Sequence, residues 1–174
     1  GKVFVIISDA FRYEVAEEFT RELNGKFRFQ AELSSLLGVL PSYTSLGMAS
    51  LLPHKKISYK ENGDVLIDGM PTSTLEHRSK ILDGVEGVAI KSGDLISMKQ
   101  DVGRDFIRSK RVIYVYHNTI DAIGDSASTE AGTFDGVRKA LGELSDVVRH
   151  IVNKLNGNNV FVTADHGFLF QESP

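Results

Sequence analysis

Asp9, His117, Asp121, Asp125, Asp165 and His166, with the hydroxyls of Ser42, Thr44 and Ser45, are the side chains of this chain best placed by type and spacing for metal and phosphoryl chemistry. Each lies just after an apolar run or in the turn that follows one. Asp9 closes "VFVIISD", and Asp165-His166 closes "VFVTADH". Thr44 and Ser45 sit in the hydroxyl-rich "LPSYTSLGMASLLP", and "YVYHNTIDAIGD" supplies His117, Asp121 and Asp125. Carboxylates gathered on one edge repel each other, and each is costly in a low-dielectric cleft unless paired or bound to a cation. Divalent cations relieve that cost. Two of them about 4 Å apart also polarise a phosphoryl oxygen, lower the pKa of a nucleophile and hold a leaving oxygen. A hydroxyl at a helix start is well placed to attack, because helix amides stabilise an anion there.

Taken singly, each residue has a plainer role. An Asp after a strand is commonly a turn former or a helix cap. Asp121 and Asp125 also read as solvated loop residues, and Thr44 or Ser45 as a cap. Asp165-His166-Gly167 also reads as a turn whose glycine takes a positive φ. Joint placement favours a cation-binding rim, intact or vestigial.

The elements needed to build such a rim are visible in the hydropathy pattern. Lys2–Ser8 and Arg111–His117 are continuous apolar runs rich in β-branched residues, as in strands buried on both faces. "NNVFVTA" is the last clear strand, and "GVAIKS" a short one. "RYEVAEEFTRELN" carries Val15, Phe19 and Leu23 on one helical stripe, closed by Asn24-Gly25. A long helix from about Phe134 to Leu155 carries Val137, Leu141, Leu144, Val148, Ile151 and Leu155. Shorter helices are predicted in "TSLGMASLL", "STLEHRSKILDG" and the later part of "DLISMKQDVGRDFIRS". "FRFQAEL" alternates and predicts a second strand. The segment from about His54 to Gly69 predicts a hairpin around Asn62-Gly63, an excursion from the main sheet. Alternating strands and helices imply an α/β fold: a mostly parallel sheet with helices on both faces. Ligands in such folds bind at the carboxyl ends of the strands, where the acidic residues lie.

The bulk numbers limit the function classes. The 174 residues suit one domain with a real core. A net charge of −3 gives no electrostatic footprint for nucleic acid or an anionic membrane. There is no cysteine, hence no disulfide, thiolate metal site or thiol nucleophile, which is compatible with the cytoplasm. No apolar run reaches the ~18 residues of a membrane-spanning helix. There is no GxxxxGK[ST] and no acidic pair after the first strand, which disfavours P-loop and response-regulator proteins. Both ends are abrupt and read as cuts in a longer chain.

"VFVIISDAFRYE", "LPSYTSLGMASLLPH", "YVYHNTIDAIGD" and "VFVTADHGF" together resemble the alkaline-phosphatase superfamily, specifically its PglZ-domain branch. They fall in family order over nearly the whole chain, so that residues 1–174 read as one such domain truncated at its C-terminus. The resemblance implies that Asp9, Thr44, Asp165 and His166 serve one metal, with Thr44 the nucleophile. It assigns Asp121 and Asp125 to a second metal. Asp125 stands where histidine is usual, which tilts preference from Zn²⁺ toward Mn²⁺ or Mg²⁺. A further histidine expected downstream has no counterpart, so two divalent ions are expected only in the intact protein. Arg12 would contact phosphate oxygens or pair with an acidic helix neighbour. Ser45 is a possible substrate contact, and His117 a substitute metal ligand, a partner that orients a ligand or a purely structural residue. The implied activity is hydrolysis of phosphate esters or phosphodiesters through a phospho-threonine intermediate. The implied setting is a cytoplasmic phage-defence system of the BREX/Pgl type, beside proteins such as a DNA methyltransferase. A phosphorylated or nucleotide substrate fits that setting. The rival reading is a non-catalytic metal-binding or protein-interaction domain that keeps the fold.

Overall fold

Strands covered on both faces need unbroken apolar sequence, and the runs identified above become the centre of the sheet. In chain order the elements are β1 (Val3–Ser8), α1 (Tyr13–Lys26), α2 (Thr44–Ser50), β2 (Ile57–Tyr59), β3 (Val65–Ile67), β4 (Met70–Pro71), α3 (Leu75–Leu82), β5 (Gly87–Lys91), α4 (Ser92–Ser97), α5 (Gln100–Phe106), β6 (Val112–His117), α6 (Glu130–Leu155) and β7 (Asn159–Thr163). This computed structural model describes residues 1–9, 11, 13–27, 29–118 and 130–166. Arg12, Asp121 and Asp125 lie outside the described residues.

The main sheet is parallel, in the order β5-β6-β1-β7. β1 pairs with β6 from Val3↔Val112 to Ser8↔His117, and with β7 from Val3↔Asn159 to Ile7↔Thr163. Successive residues of a strand face opposite sides. Phe4 and Ile6 therefore enter a core with α1, α4, α5 and α6, while Ile7 enters another with α2, α3 and the hairpin. The predicted stripes are the buried ones: Val15, Phe19 and Leu23 on α1, and Leu141, Leu144, Val148, Ile151 and Leu155 on α6, with Val137 partly buried. Helices thus cover both faces, as the alternation of elements implied.

Four local differences from the sequence pattern stand out. α1 runs through Asn24-Gly25 to Lys26, because the Asn24 side chain bonds outward instead of ending the helix. Its amide accepts from Ala31 N (2.8 Å) and donates to Ala31 O (2.9 Å). Those bonds fall within "FRFQAEL", which forms no strand among the described residues. Phe29 and Ala31 pack on the core while Gln30 and Glu32 are exposed, so the alternation expresses one-sided burial without a ladder partner. The helical stretch near residues 94–109 is two helices, separated where Met98 is extended (ψ 136°). α6 starts at Glu130, ahead of Phe134.

The hairpin turns at Asn62-Gly63, where Gly63 has φ 89° and Lys60 N donates to Asp64 O at 2.9 Å. It gains β4 as a third, antiparallel strand. It also packs inward, with Val65 and Ile67 buried in the core beneath α2 and α3.

Candidate metal centre

The parallel register brings the carboxyl ends of β1 and β7 together. Beyond Ser8 the β1–β6 ladder continues one step, with Asp9 N donating to His117 O at 2.8 Å. Asp9 is buried there, and Asp165, two residues past β7, has a fully buried side chain. His166 follows. Its Nε2 lies 3.3 Å from Asp165 Oδ2 and 3.6 Å from Asp9 Oδ1.

The fourth group comes from α2. Tyr43 is the N-cap and makes no side-chain cap bond, so Thr44 is the first helical residue and its hydroxyl is not a cap. Thr44 Oγ1 instead lies 2.9 Å from His166 Nε2. Its neighbour Ser45 is exposed. The geometry therefore separates two hydroxyls that adjacency in sequence left equivalent.

Close contact at Gly47 allows this. A Cβ there would lie 2.5 Å from the carbonyl oxygen of Asp165, 2.9 Å from its carbonyl carbon and 3.0 Å from its Cβ. Only glycine lets the helix rest on that strand end. Leu46, Met48 and Ala49 are buried beside it, and Tyr114 Oη donates to Leu51 O at 2.6 Å just past the end of the helix. In the sequence this glycine looks like a weak point in a helix. The three-dimensional contact is what it serves.

His166 Nε2 carries at most one hydrogen, yet it faces three oxygens within 3.6 Å. A divalent cation suits that donor set better than a proton does. Among the described residues, Asp9, Asp165 and His166 form the only group of three or more such side chains that could hold an ion, with ligand atoms within 4.8 Å of one another. Two carboxylates and one imidazole are donors that Mn²⁺, Mg²⁺ and Zn²⁺ all accept. Neighbouring tyrosines offer no anionic ligand: burial pushes the hydroxyls of Tyr114 and Tyr116 up, and in Tyr116 it outweighs the opposing pull of Arg78.

The other candidates stand apart. His117 is buried on the far side of β1, bonded through its ring to Ser8 and Glu143, and is not in the donor cluster. Among the remaining histidines, His54 bonds the carbonyl of Leu52 at 2.6 Å. Gly47, Ser8 and Glu143 escaped sequence reasoning. Ser8 alone carried a signal, as the polar residue closing an apolar strand.

These features define an α/β protein with a candidate cation centre at the carboxyl ends of adjacent parallel strands. The chain belongs to the family described as the BREX system PglZ alkaline phosphatase-like domain, which matches residues 1–174. It is 57% identical over 173 residues to the alkaline phosphatase-like protein BrxZ of Escherichia coli O9:H4 (strain HS), covering 98% of this chain and 20% of that protein. It is 43% identical over 171 residues to the alkaline phosphatase-like protein PglZ of Bacillus cereus (strain H3081.97), covering 97% of this chain and 20% of that one. The chain therefore spans about a fifth of the length of these relatives. No solved structure matches it. Among the described residues, no helix is long and apolar enough to cross a membrane.

Proposed function

We propose that the intact protein is a metal-dependent hydrolase of phosphate esters or phosphodiesters, working in the cytoplasm as part of a phage-defence system. The observation that carries this reading is the meeting of Thr44 Oγ1 with His166 Nε2 at 2.9 Å, beside Asp9 and Asp165. Asp9, Asp165 and His166 would hold a divalent ion, with the Thr44 oxygen at its edge. Such an ion supplies charge neutralisation and Lewis-acid activation at a phosphoryl group. Thr44 Oγ1 attacks phosphorus in line, its bond to phosphorus forming as the ester oxygen leaves, and its proton passes to solvent. Water then cleaves the phospho-threonine, freeing phosphate from a monoester or a phosphate monoester from a diester, and restoring the hydroxyl. Asp121 and Asp125 belong, in this reading, to a second ion. Arg12 would contact the phosphate and Ser45 the substrate. Partners would be other proteins of the defence system, such as a DNA methyltransferase, and a nucleotide or other phosphorylated molecule would be the substrate.

A non-catalytic interaction domain is the rival. It is favoured by Leu36, Leu37 and Leu40, which are 78%, 97% and 87% exposed on the approach to α2. One experiment separates the two. The full-length protein and its Thr44→Ala variant are assayed on aryl phosphate esters and diesters with Mn²⁺, Mg²⁺ or Zn²⁺, and metal content is measured alongside. The hydrolase reading expects Thr44→Ala to lose turnover and keep its metal. It fails if the intact protein cleaves neither substrate class with any of the three ions, or if the variant turns over normally.

A further inference from the structure

Behind the carboxylate cluster lies a polar arrangement that hydrolysis at Thr44 does not use. Ser8 Oγ is 3.0 Å from His117 Nδ1, and His117 Nε2 is 2.8 Å from Glu143 Oε2. β1, β6 and α6 each contribute one member. Lys139 flanks the other Glu143 oxygen at 4.0 Å. The order of hydroxyl, imidazole and carboxylate is that of a hydrolytic triad. Ser8, however, is 0% exposed, so no substrate reaches its oxygen. Nucleophilic chemistry is excluded, and what remains is a hold on the strand end.

The hold has a defined direction. With the Glu143 carboxylate accepting from Nε2–H, Nδ1 becomes the acceptor for the Ser8 hydroxyl, and one ring tautomer is fixed. The same histidine also binds main chain, its carbonyl accepting from Asp9 N at 2.8 Å. Ser8 and Asp9 are thus gripped at consecutive residues by one partner. Strand alternation turns Ser8 toward α6 and Asp9 toward α2. Fixing the first residue therefore fixes the outward aim of the second.

We propose that His117, anchored by Glu143, is a positioning residue that holds the end of β1 so that Asp9 points at Asp165 and His166. This rests on the cation-site reading above. Partners that orient a metal ligand are typically worth about 10–100-fold in metal affinity.

The test uses the metal-free full-length protein, titrated with Mn²⁺ and followed by electron paramagnetic resonance. Folding of each variant is checked by circular dichroism. His117→Ala and Glu143→Ala are expected to weaken Mn²⁺ binding about 10–100-fold. Glu143→Gln, whose amide oxygen still accepts from the ring, is expected to stay near wild type. Ser8→Ala, which keeps the imidazole and nearly all the volume, serves where His117→Ala does not fold. A folded His117→Ala or Ser8→Ala protein with wild-type affinity overturns the proposal. A second readout needs no metal: hydrogen exchange at the Asp9 amide, which the variants are expected to speed. Should the wild type bind no Mn²⁺, the cation reading falls, and faster Asp9 exchange in the variants still upholds the hold on the strand end. Unchanged exchange removes that as well.

Discussion

Replacing Gly47 with alanine sets two effects of opposite sign against each other. Intrinsic helix propensity favours alanine over glycine by about 1 kcal/mol in a helix interior. The docking of α2 opposes it. The new Cβ would stand 2.5 Å from the Asp165 carbonyl oxygen, whereas ordinary contact begins near 3.4 Å, so a retreat of about 0.9 Å is required. The obstacle is backbone at a strand end and has no rotamer to move. Buried Leu46, Met48 and Ala49 resist the shift from the same helix. Overpacking of this kind costs about 1–3 kcal/mol, so the expected net is a loss of roughly 0–2 kcal/mol once propensity is subtracted. The site should suffer more than the fold. A retreat of that size would lengthen the present 2.9 Å contact between Thr44 and His166 to about 3.8 Å, beyond hydrogen-bond range. Misplacement of a reacting group by about 1 Å can cost 10²-fold in rate. Urea unfolding of the full-length protein and the phosphoesterase turnover proposed for it are the assays. A Gly47→Ala protein that gains stability and keeps full turnover would refute the close-contact argument.

Asp165→Asn should remove the response to metal: a chelator is expected to lower the melting temperature of the wild type and leave that of the variant unchanged, as differential scanning fluorimetry can show. His150 should make stability depend on pH, because burial first, and then Lys154, hold its imidazole below the ordinary value of 6.5. The folded protein keeps it neutral while the unfolded chain takes up the proton, so stability present above about pH 6.5 falls as pH drops toward the folded pKa. Urea midpoints between pH 7.5 and 5 should fall less steeply in His150→Leu than in the wild type.

Much of the sheet was readable because double-sided burial leaves a strong local mark. "VFVIIS" and "VIYVYH" have no polar interruption before their last residue, and they are the two central strands. Asp9 and Asp165 were readable for a related reason: a carboxylate just after an apolar β-prone run falls at the carboxyl end of the strand, whether that strand is central like β1 or at the edge like β7. Spacing alone did not separate Thr44 from Ser45, since both lie at the start of one helix; the resemblance singled out Thr44, and the docking of α2 is what brings its hydroxyl to His166. The role of Gly47 was not readable because helix propensity is local while its contact with Asp165 spans more than a hundred residues of chain. "FRFQAEL" shows the complementary limit. Alternation reports which side chains are buried and is silent about whether a neighbouring strand exists. The bond between His117 and Glu143 joins residues 26 apart, and no local periodicity encodes it.

The chemistry of the rim depends on packing several residues away from it. Register in a parallel sheet is set by which face each side chain buries, and a slip of one residue exchanges the faces of the whole strand. In β1, Phe4 and Ile6 are committed to the α1–α6 side and Ile7 to the α2 side, all three fully buried. That commitment leaves no choice at the end of the strand: Ser8 must face His117 and α6, and Asp9 must face α2. Were β1 shifted by one place against its neighbours, the carboxylate would be carried into an apolar core and the hydroxyl into the acidic cluster. The aromatic and branched side chains that stabilise the sheet therefore also select which residue reaches Asp165 and His166. A core substitution that loosens β1 should weaken metal binding before it unfolds the domain.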